Sequence, residues 1–309
     1  MHWIDCRNRP PLRLIFQPGY PAMNPVFSPP SNFLQVSSEE SVTSTCNRTL
    51  VNTDNKRKCD FLIIILSRFG DRKEREQIRY TWLREEYQAK IPRVNRAIFM
   101  ISYPKQDEAT FNMLMAEQLI WNDMLLLGTT LPDNYGLLTI RVLFLLQWVT
   151  QLLCPQQRPA FLIKSDQDSY WNLKSLNYVL CEARRTKDPF HEKYLVGDLN
   201  RFAQVFRRDN DLWKTYTEEY AADIFPLYAS GSPGYILTIS SAQAIYKAAI
   251  GRRILWLEDV YITGVIAEQE GISRYFFFRL LCISFLSFKD NLIDLKFTSN
   301  TRRFDILKC

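Results

Sequence analysis

Glycine and histidine are scarce in this chain, and their scarcity excludes several kinds of site. Only 10 of the 309 residues are glycine, and neither G-x-G-x-x-G nor G-x-x-x-x-G-K-[ST] occurs, so a dinucleotide-binding or P-loop site has no support. The two histidines are His2 and His191, and neither H-E-x-x-H nor a Cys/His zinc spacing is present. A catalytic triad would have to use His191, yet no G-x-S-x-G accompanies it.

Neither sign of charge dominates strongly enough to indicate a nucleic-acid binder. Lys and Arg number 39 against 33 Asp and Glu, which gives a net charge of +6. This mild excess fits a basic pocket for an anionic ligand. Hydrophobic residues make up 47% of the chain and aromatic residues 14%, which is ample for a large core. We therefore expect a folded protein with no nucleic acid among its partners.

The cysteines leave two interpretations open. There are seven of them, widely spread and without a C-x-x-C pair, so they do not form the pattern of a metal site. They are compatible with a few disulfides in a secretory protein plus at least one leftover thiol. They are equally compatible with buried free thiols in a reducing compartment.

No long apolar run indicates a membrane anchor. The longest candidate, residues 275–288, contains Arg279 and falls short of the roughly 18 apolar residues that a span requires. The first 16 residues show no apolar segment followed by a small-residue cleavage site. We therefore expect no anchor and no export signal in this sequence.

The sequence divides near residue 58. Residues 1–58 contain seven prolines and a Ser/Thr-rich stretch that holds the sequon Asn47-Arg48-Thr49, and no hydrophobic period persists there. This composition predicts a flexible stem or tail. Residues 59–309 are predicted to form the folded domain.

Apolar strands alternate with amphipathic helices through the predicted domain. Such alternation is typical of an α/β sandwich with a mostly parallel central sheet, in which ligands bind at the carboxyl ends of the strands. The predicted strands are 61–66, 96–102, 160–164, 194–197 and 235–238. The predicted helices are 71–87, 112–126, 137–153, 173–184, 241–249 and 257–269.

Two acidic pairs are the main candidates for chemistry. Asp166 and Asp168 follow a buried strand and point to the same side of an extended segment, where they could grip a divalent cation that bridges a diphosphate. Glu258 and Asp259 begin a helix, where one of them could act as a general base. The plainer alternatives are a solvated loop for the first pair and acids favoured by the helix dipole for the second.

A cluster of basic residues follows the first strand. It could recognise an anionic nucleotide at the end of that strand, or it could be a solvated helix face, as charge runs usually are. Its members are Arg68, Arg72, Lys73, Arg75 and Arg79.

Six blocks in the same order resemble the β1,3-galactosyltransferase / β1,3-N-acetylglucosaminyltransferase family, relatives of the fringe glycosyltransferases. Each block is modest, but their shared order is specific, and they extend from about residue 60 to 272. The family patterns are an apolar strand, a Ser and E-R-R-x-x-I-R-x-T-W at 61–82, D-x-Y-x-N-L-T-x-K at 133–141, W-V and C-P at 148–155, F-x-x-K-x-D-D-D-x-x-x-N at 161–172, Y-x-S-G-x-G-Y at 228–235, and E-D-V-Y-x-G at 258–264.

The resemblance implies a GT-A-like nucleotide-binding sandwich that uses a UDP-sugar and Mn²⁺ and inverts the anomeric carbon. Asp168 would be the direct metal ligand, and Asp166 would lie near the metal or the ribose. Asp259 would be the base that deprotonates the acceptor hydroxyl. Residues 228–234 would form an acceptor-side loop. The residues that would lie near the nucleotide or brace its pocket are Ser67, Arg75 and Arg79.

The chain departs from the family pattern in the acidic block, in the Y-C-S-G turn, in a metal ligand and in the anchor. Gln167 replaces the middle acid of the D-D-D block, and Ala229 replaces a cysteine in the Y-C-S-G turn. Ser232 and Pro233 make that turn one residue longer. The family usually supplies a His after the E-D-V block as a further metal ligand, yet no His follows His191. Family members are type II Golgi membrane proteins, but no anchor is visible here.

The sequence therefore predicts an inverting hexosyltransferase that forms β1,3 links on a glycan acceptor of a protein or lipid. UDP-galactose is the first candidate donor and UDP-N-acetylglucosamine the second. By resemblance the protein would work in the Golgi, attached to the membrane by a family-type anchor. The alternative is a non-catalytic relative that binds glycan or a partner enzyme.

Overall fold

The computed structural model describes most of the predicted domain. The described residues are 61–84, 96–104, 107–129, 135–153, 158–189, 191–276 and 282–284. The predicted stem, residues 1–58, lies outside them. Helices and strands alternate along the described chain, beginning with an eight-residue apolar strand at Phe61.

The elements in chain order are β1 (Phe61–Arg68), α1 (Arg72–Tyr80), β2 (Arg96–Pro104), α2 (Glu108–Trp121), β3 (Met124–Thr129), α3 (Leu138–Gln147), β4 (Phe161–Asp166), β5 (Ser169–Trp171), α4 (Leu173–Thr186), β6 (Tyr194–Gly197), β7 (Leu199–Asn200), β8 (Tyr228–Ala229), β9 (Gly234–Thr238), α5 (Ile239–Ala249), α6 (Ala267–Gln269), β10 (Ser273–Phe276) and β11 (Cys282–Ser284). A 3-10 turn, Tyr135–Leu137, precedes α3, and a π-helical segment, Trp148–Leu152, extends it. A second π-helical segment, Val260–Ile266, leads into α6.

Seven strands form the central sheet in the order β10-β6-β9-β4-β1-β2-β3. Strands β4, β1, β2 and β3 are parallel, while β9 pairs antiparallel with both β4 and β6. Because β10 is parallel to β6, β9 runs against the other strands of this sheet. The predicted α/β class with a mostly parallel central sheet is confirmed.

Both faces of the sheet are covered, which explains the unbroken apolar sequence of β1. Successive side chains of a strand point to opposite faces. Leu62 and Ile64 belong to a core that includes α3 and α5. Ile63 and Ile65 belong to the opposite core, which includes residues of α1 and α4. A strand covered on one face would alternate apolar and polar residues instead.

The helical segment Tyr135–Leu152 is long and apolar enough to be a candidate membrane span. Its length and mean hydropathy of 1.3 would allow it to cross a membrane, although the sequence predicted no span. However, 56% of it is buried in the fold, where Val142, Leu146 and Val149 join the core. A core helix of a folded domain has the same properties, so this segment is weak support for a membrane span.

The prediction of a helix over 112–126 was wrong at its C-terminal end. Helix α2 stops at Trp121 because Asn122 adopts a left-handed conformation with φ 50°, and residues Met124–Thr129 form strand β3 instead. The apolar residues of β3 fit a helical pattern equally well. Pairing with β2 decides their conformation, and that partner is distant in sequence.

The sheet brings three chain segments to one edge. Leu66 near the end of β1 is in register with Asp166 at the end of β4. Because β9 is antiparallel, its first residue, Gly234, is in register with Ser165 at the same edge. The turn that enters β9 and the turn that leaves β4 are therefore neighbours.

Candidate active site

The turn after β4 is anchored at two points. Trp171 on β5 is fully buried, and its Nε1 donates to the Oγ of Ser165 over 2.8 Å. Gln167 Nε2 donates to Asp71 Oδ2 over 2.6 Å, which ties the turn to the residue before α1. Between these anchors Asp168 is exposed, and its carboxylate makes no ion pair or hydrogen bond with the described side chains. The turn therefore presents this carboxylate to solvent from a fixed backbone.

Gln167→Ala is expected to destabilise the fold by about 1 kcal/mol through loss of the hydrogen bond to Asp71. A double-mutant cycle with Asp71→Ala, followed by chemical denaturation, measures the coupling directly. Because both single variants remove the same bond, the double variant should lose clearly less than the sum of the two. Strictly additive losses would show that the two side chains do not support each other.

A buried lysine lies at the centre of the site. The side chain of Lys164 on β4 is 2% exposed, and its Nζ lies 2.6 Å from Asp166 Oδ1 and 3.5 Å from Glu258 Oε2. It also donates to the carbonyl oxygen of Gly231 over 3.0 Å. Burial alone would lower the pKa of Lys164, but the charges of Asp166 and Glu258 raise it above its ordinary value. The lysine is therefore a fixed cation that joins three segments.

Glu258 is the buried acid of the second pair. Its carboxylate accepts a hydrogen bond from the Tyr235 hydroxyl and forms an ion pair with Lys164. Burial raises the pKa of Glu258 to about 7, and the nearby charge of Asp259 adds to this effect, while Lys164 opposes it. Both of these partners, Tyr235 and Lys164, are buried protein side chains, so the carboxylate of Glu258 supports the structure of the site.

Asp259 is the acid of the second pair that remains accessible. It is half-buried, and its Oδ1 accepts from its neighbour's backbone nitrogen, Val260 N, over 2.8 Å. Its Oδ2 accepts from the backbone nitrogen of Gly231 over 3.0 Å. Burial raises the pKa of Asp259, although these two backbone donors and the charge of Lys164 partly offset the rise. A carboxylate that is held in place and has a raised pKa has the properties of a general base.

The turn that enters β9 is packed tightly against these groups. A Cβ added to Gly231 would lie 3.6 Å from both Asp259 Oδ2 and Lys164 Nζ. The next peptide, Ser232–Pro233, is cis. Gly234 has φ +128°, and a Cβ there would lie 2.1 Å from the carbonyl oxygen of Lys164, so no other residue fits without displacing the strand. The predicted acceptor-side loop, residues 228–234, thus lies directly against Asp259.

Of the five basic residues at the end of β1 and after it, Arg75 and Arg79 face the protein interior, whereas Arg68, Arg72 and Lys73 are exposed. Arg75 is fully buried, and all five of its N–H groups have acceptors. Its Nε and Nη2 donate to Glu117 over 2.9 and 2.7 Å, and its Nη1 donates to Ser67 Oγ over 3.0 Å. The remaining two N–H groups donate to the backbone oxygens of Arg68 and Phe69. The guanidinium of Arg75 therefore fixes the loop after β1 from inside.

Arg79 continues the same network. It donates to Glu117 over 2.7 Å and makes two bonds of 2.8 Å to Asp123. The guanidinium also lies 4.9 Å from the ring centres of Phe99 and Trp121. The structure thus brings Ser67, Arg75 and Arg79 together at the end of β1, with Glu117 and Asp123 as partners that sequence reasoning did not assign. The two acids occur in the predicted helix 112–126, but nothing in the sequence pairs them with these arginines.

Two tyrosine side chains lie near Asp259. Burial and the charge of Asp259 raise the pKa of Tyr228 to about 12. Burial, the charge of Asp259 and that of Asp166 raise the pKa of Tyr135, while a hydrogen bond with the Trp213 side chain opposes the rise. Tyr135 therefore lies near one acid of each predicted pair, Asp166 and Asp259. Tyr135 belongs to the family block at 133–141, but the sequence analysis assigned neither Tyr135 nor Trp213 to the site.

The carboxylates fit a metal ion whose other ligands are substrate phosphates and water. Within the described residues no group of three or more His, Cys, Asp or Glu side chains lies close enough to hold a metal. Asp166 is paired with Lys164, whereas Asp168 is free to bind a cation. One or two carboxylates suffice for a divalent ion when substrate phosphates and water supply the other ligands. The donor set therefore fits an ion bound to a diphosphate, not a cage made by protein alone.

Comparisons with known proteins agree on one family. The model of the Galactosyltransferase family matches residues 73–276, which is more than half of the chain. Beta-1,3-galactosyltransferase 1 of Homo sapiens is 27% identical over 229 residues, 73% of this chain and 66% of the relative. The bre-2 beta-1,3-galactosyltransferase of Caenorhabditis elegans is 26% identical over 221 residues, 70% of this chain and 59% of the relative. The chain thus spans less than two thirds of the length of these relatives.

Comparison with solved structures gives matches at low identity and low TM-score. Mouse xyloside xylosyltransferase 1 in its apo form is 11% identical, with a TM-score of 0.35 over 69% of this chain and 82% of the other. The mannosyltransferase Ktr4p of S. cerevisiae in complex with GDP is 12% identical, with a TM-score of 0.32 over 69% of this chain and 66% of the other.

Proposed function

Because the chain belongs to the galactosyltransferase family, we propose that it transfers galactose from UDP-galactose to a hydroxyl of a glycan acceptor, in β1,3 linkage and with inversion. The resemblance drawn from the six sequence blocks is confirmed at the level of the family. The single observation that supports activity in this chain is the position of Asp259, which lies between the turn before β9 and the Lys164–Asp166 pair. UDP-N-acetylglucosamine is the second candidate donor.

The proposed reaction is a direct displacement with Asp259 as the general base. The carboxylate takes the proton of the acceptor hydroxyl while that oxygen forms a bond to the anomeric carbon of the donor sugar. The bond from this carbon to the phosphate oxygen breaks, and UDP leaves with the bonding electron pair. No covalent enzyme intermediate is needed, which agrees with the absence of a nucleophile motif from the sequence.

The turn after β4 would hold the leaving group. Asp168 would bind Mn²⁺ directly together with the diphosphate, and Asp166 would lie near the metal or the ribose. Bound there, Mn²⁺ would neutralise the charge of the leaving UDP. Arg75, Arg79 and Ser67 would brace the nucleotide pocket from within, since their polar groups already have protein partners.

Asp168→Ala is expected to weaken metal-dependent UDP binding by about 10- to 100-fold and to lower turnover accordingly. The side chain is exposed and has no partner among the residues that the structure describes, so the thermal unfolding temperature without ligand should stay unchanged. Calorimetric titration of UDP with and without Mn²⁺ measures the effect. If the variant bound UDP with Mn²⁺ as tightly as the wild type does, Asp168 would not be a metal ligand.

A donor hydrolysis screen tests the proposed function. The wild-type protein is incubated with a set of UDP-sugars and Mn²⁺, and UDP release is measured. We expect UDP-galactose to be hydrolysed fastest, and chelation of the metal to stop the release. Thermal stabilisation by UDP and Mn²⁺ together supports the enzyme as well, because a ligand that binds only the folded state raises its stability.

Two observations favour the second candidate, a non-catalytic relative that binds glycan or a partner enzyme. Of the two aspartates after β4, Asp166 is already engaged by Lys164, and no His follows His191 in the sequence. If no UDP-sugar is hydrolysed, and UDP with Mn²⁺ does not stabilise the fold, this candidate replaces the enzyme.

We propose the Golgi as the site of action, with attachment to the membrane as in the family. Cys181 is disulfide-bonded, which supports an oxidising compartment over a reducing one. For this cysteine, the alternative of a free buried thiol is therefore wrong.

A further inference from the structure

The long connection between β7 and β8 is held in one shape by its own hydrogen bonds. Arg207 Nη1 donates to the backbone oxygen of Thr215 over 2.8 Å, and its Nη2 donates to those of Tyr220 and Ala222 over 2.7 and 2.8 Å. The fully buried Thr215 also bonds through its backbone nitrogen to the oxygen of Phe206 over 2.8 Å. The segment is therefore a fixed support for the side chains that it carries.

This fixed segment exposes aromatic rings to solvent. Phe206, Trp213 and Tyr216 are each 40 to 42% exposed. The rings of Phe206 and Trp213 are in contact, with centroids 5.7 Å apart. Neighbouring exposed aromatic rings on an ordered segment are typical of binding surfaces. The charged side chains nearby, Lys164, Asp166 and Asp259, argue against a purely apolar ligand.

Tyr135 connects Trp213 to the proposed catalytic base. The hydroxyl of Tyr135 lies close to the Trp213 side chain and to the carboxylate of Asp259. Its ring also packs edge-on against Trp256, with centroids 6.2 Å apart. Tyr228 also lies near Asp259. Phe225 of the connection between β7 and β8 packs edge-on against Tyr228, with ring centroids 6.2 Å apart. A ligand on Trp213 would thus have tyrosine hydroxyls and a carboxylate beside it.

These groups match the two kinds of surface on a pyranose sugar. One face of a pyranose carries C–H groups that can lie on an aromatic ring, while its hydroxyls project around the edge and need polar partners. We propose that Trp213, supported by Phe206, is the platform on which a sugar of the glycan acceptor stacks, and that Tyr135 orients this sugar toward Asp259. This inference rests on the proposed function and extends it to the acceptor side.

Steady-state kinetics of three variants test the platform. UDP-galactose is the donor, and methyl β-N-acetylglucosaminide and methyl β-galactoside are the acceptors. We expect Trp213→Ala to raise the acceptor KM about tenfold or more, because stacking and burial of the sugar are lost, while the donor KM is retained. Trp213→Phe should recover much of the loss. Leu212→Ala is the matched control, since Leu212 is adjacent and 80% exposed.

The outcomes separate this inference from the proposed function. If transfer occurs but the acceptor KM of Trp213→Ala equals that of Leu212→Ala, or if its donor KM rises instead, the platform is refuted and the transferase stands. If no donor is hydrolysed, the transferase fails, and saturation-transfer NMR with the two methyl glycosides tests the platform by itself. Binding to the wild type but not to Trp213→Ala then supports it, and equal binding overturns it.

Discussion

Asp259→Asn is expected to reduce the rate of sugar transfer by about 10²- to 10⁴-fold, the usual contribution of a general base. Asparagine has nearly the same shape, and its amide oxygen can still accept from the backbone nitrogen of Gly231 or Val260. UDP binding and the unfolding temperature should therefore change little. Initial-rate assays with saturating donor, together with UDP titration, measure the two effects separately.

The pH dependence gives a second measure of the same residue. Burial raises the pKa of Asp259, so the fraction of the ionised base increases with pH through a range above that of an ordinary aspartate. The wild-type rate should rise with pH through this range and then level off, and Asp259→Asn should lose that rise. Glu268→Gln is the control, because Glu268 is an exposed acid farther along the same helix. Loss of UDP binding along with transfer would identify Asp259 as a structural acid.

Lys164→Met is expected to destabilise the fold by about 3–5 kcal/mol at neutral pH, as is typical when one partner of a buried ion pair is removed. Methionine can fill much of the space of the side chain, but it leaves Glu258 and Asp166 without their cation and Gly231 without its donor. Chemical denaturation of both proteins measures the loss. Lys193→Met is the surface control, with an expected loss of at most about 1 kcal/mol, since its pairing with Glu270 is partly exposed.

The deficit of Lys164→Met should also grow with pH. The pKa of Glu258 is raised from 4.5 in the unfolded chain to about 7 in the fold, so the wild type loses stability as pH rises between these values. Lys164 opposes this rise in pKa, and without it the ionised carboxylate costs more. The lysine itself stays charged throughout this range. A deficit that is the same at pH 5 and pH 8 would contradict the proposed pairing with Glu258.

The sequence predicts the sheet well because its strongest signals are local. The unbroken apolar residues of β1 and β4 indicate strands covered on both faces, and both strands form. β3 was missed because its short apolar run fits two conformations, and only pairing with β2 selects one. Local patterns therefore identify the central strands but not this edge strand.

The site is less predictable because its contacts join distant segments. The sequence placed Asp166, Asp168 and Asp259 in motifs, but the burial of Lys164 depends on a contact with Gly231, which lies 67 residues away. From the sequence alone, Arg75 could equally have bound a nucleotide. In the structure its guanidinium donates to Glu117, which lies 42 residues away. Trp213 lies in a loop with no periodic pattern, so its proximity to Tyr135 has no local signal.

The reversed direction of β9 separates two parts of the cleft. The turn before β9 ends at Gly234, and the register of Gly234 with Ser165 fixes the pairing of β9 with β4. An added residue before Gly234, such as Pro233, therefore changes the turn and leaves the sheet unaltered. The turn after β4 belongs to a different connection with its own anchors. Loop grafts from related chains at 228–233 could therefore alter which glycans are recognised without altering which nucleotide is held.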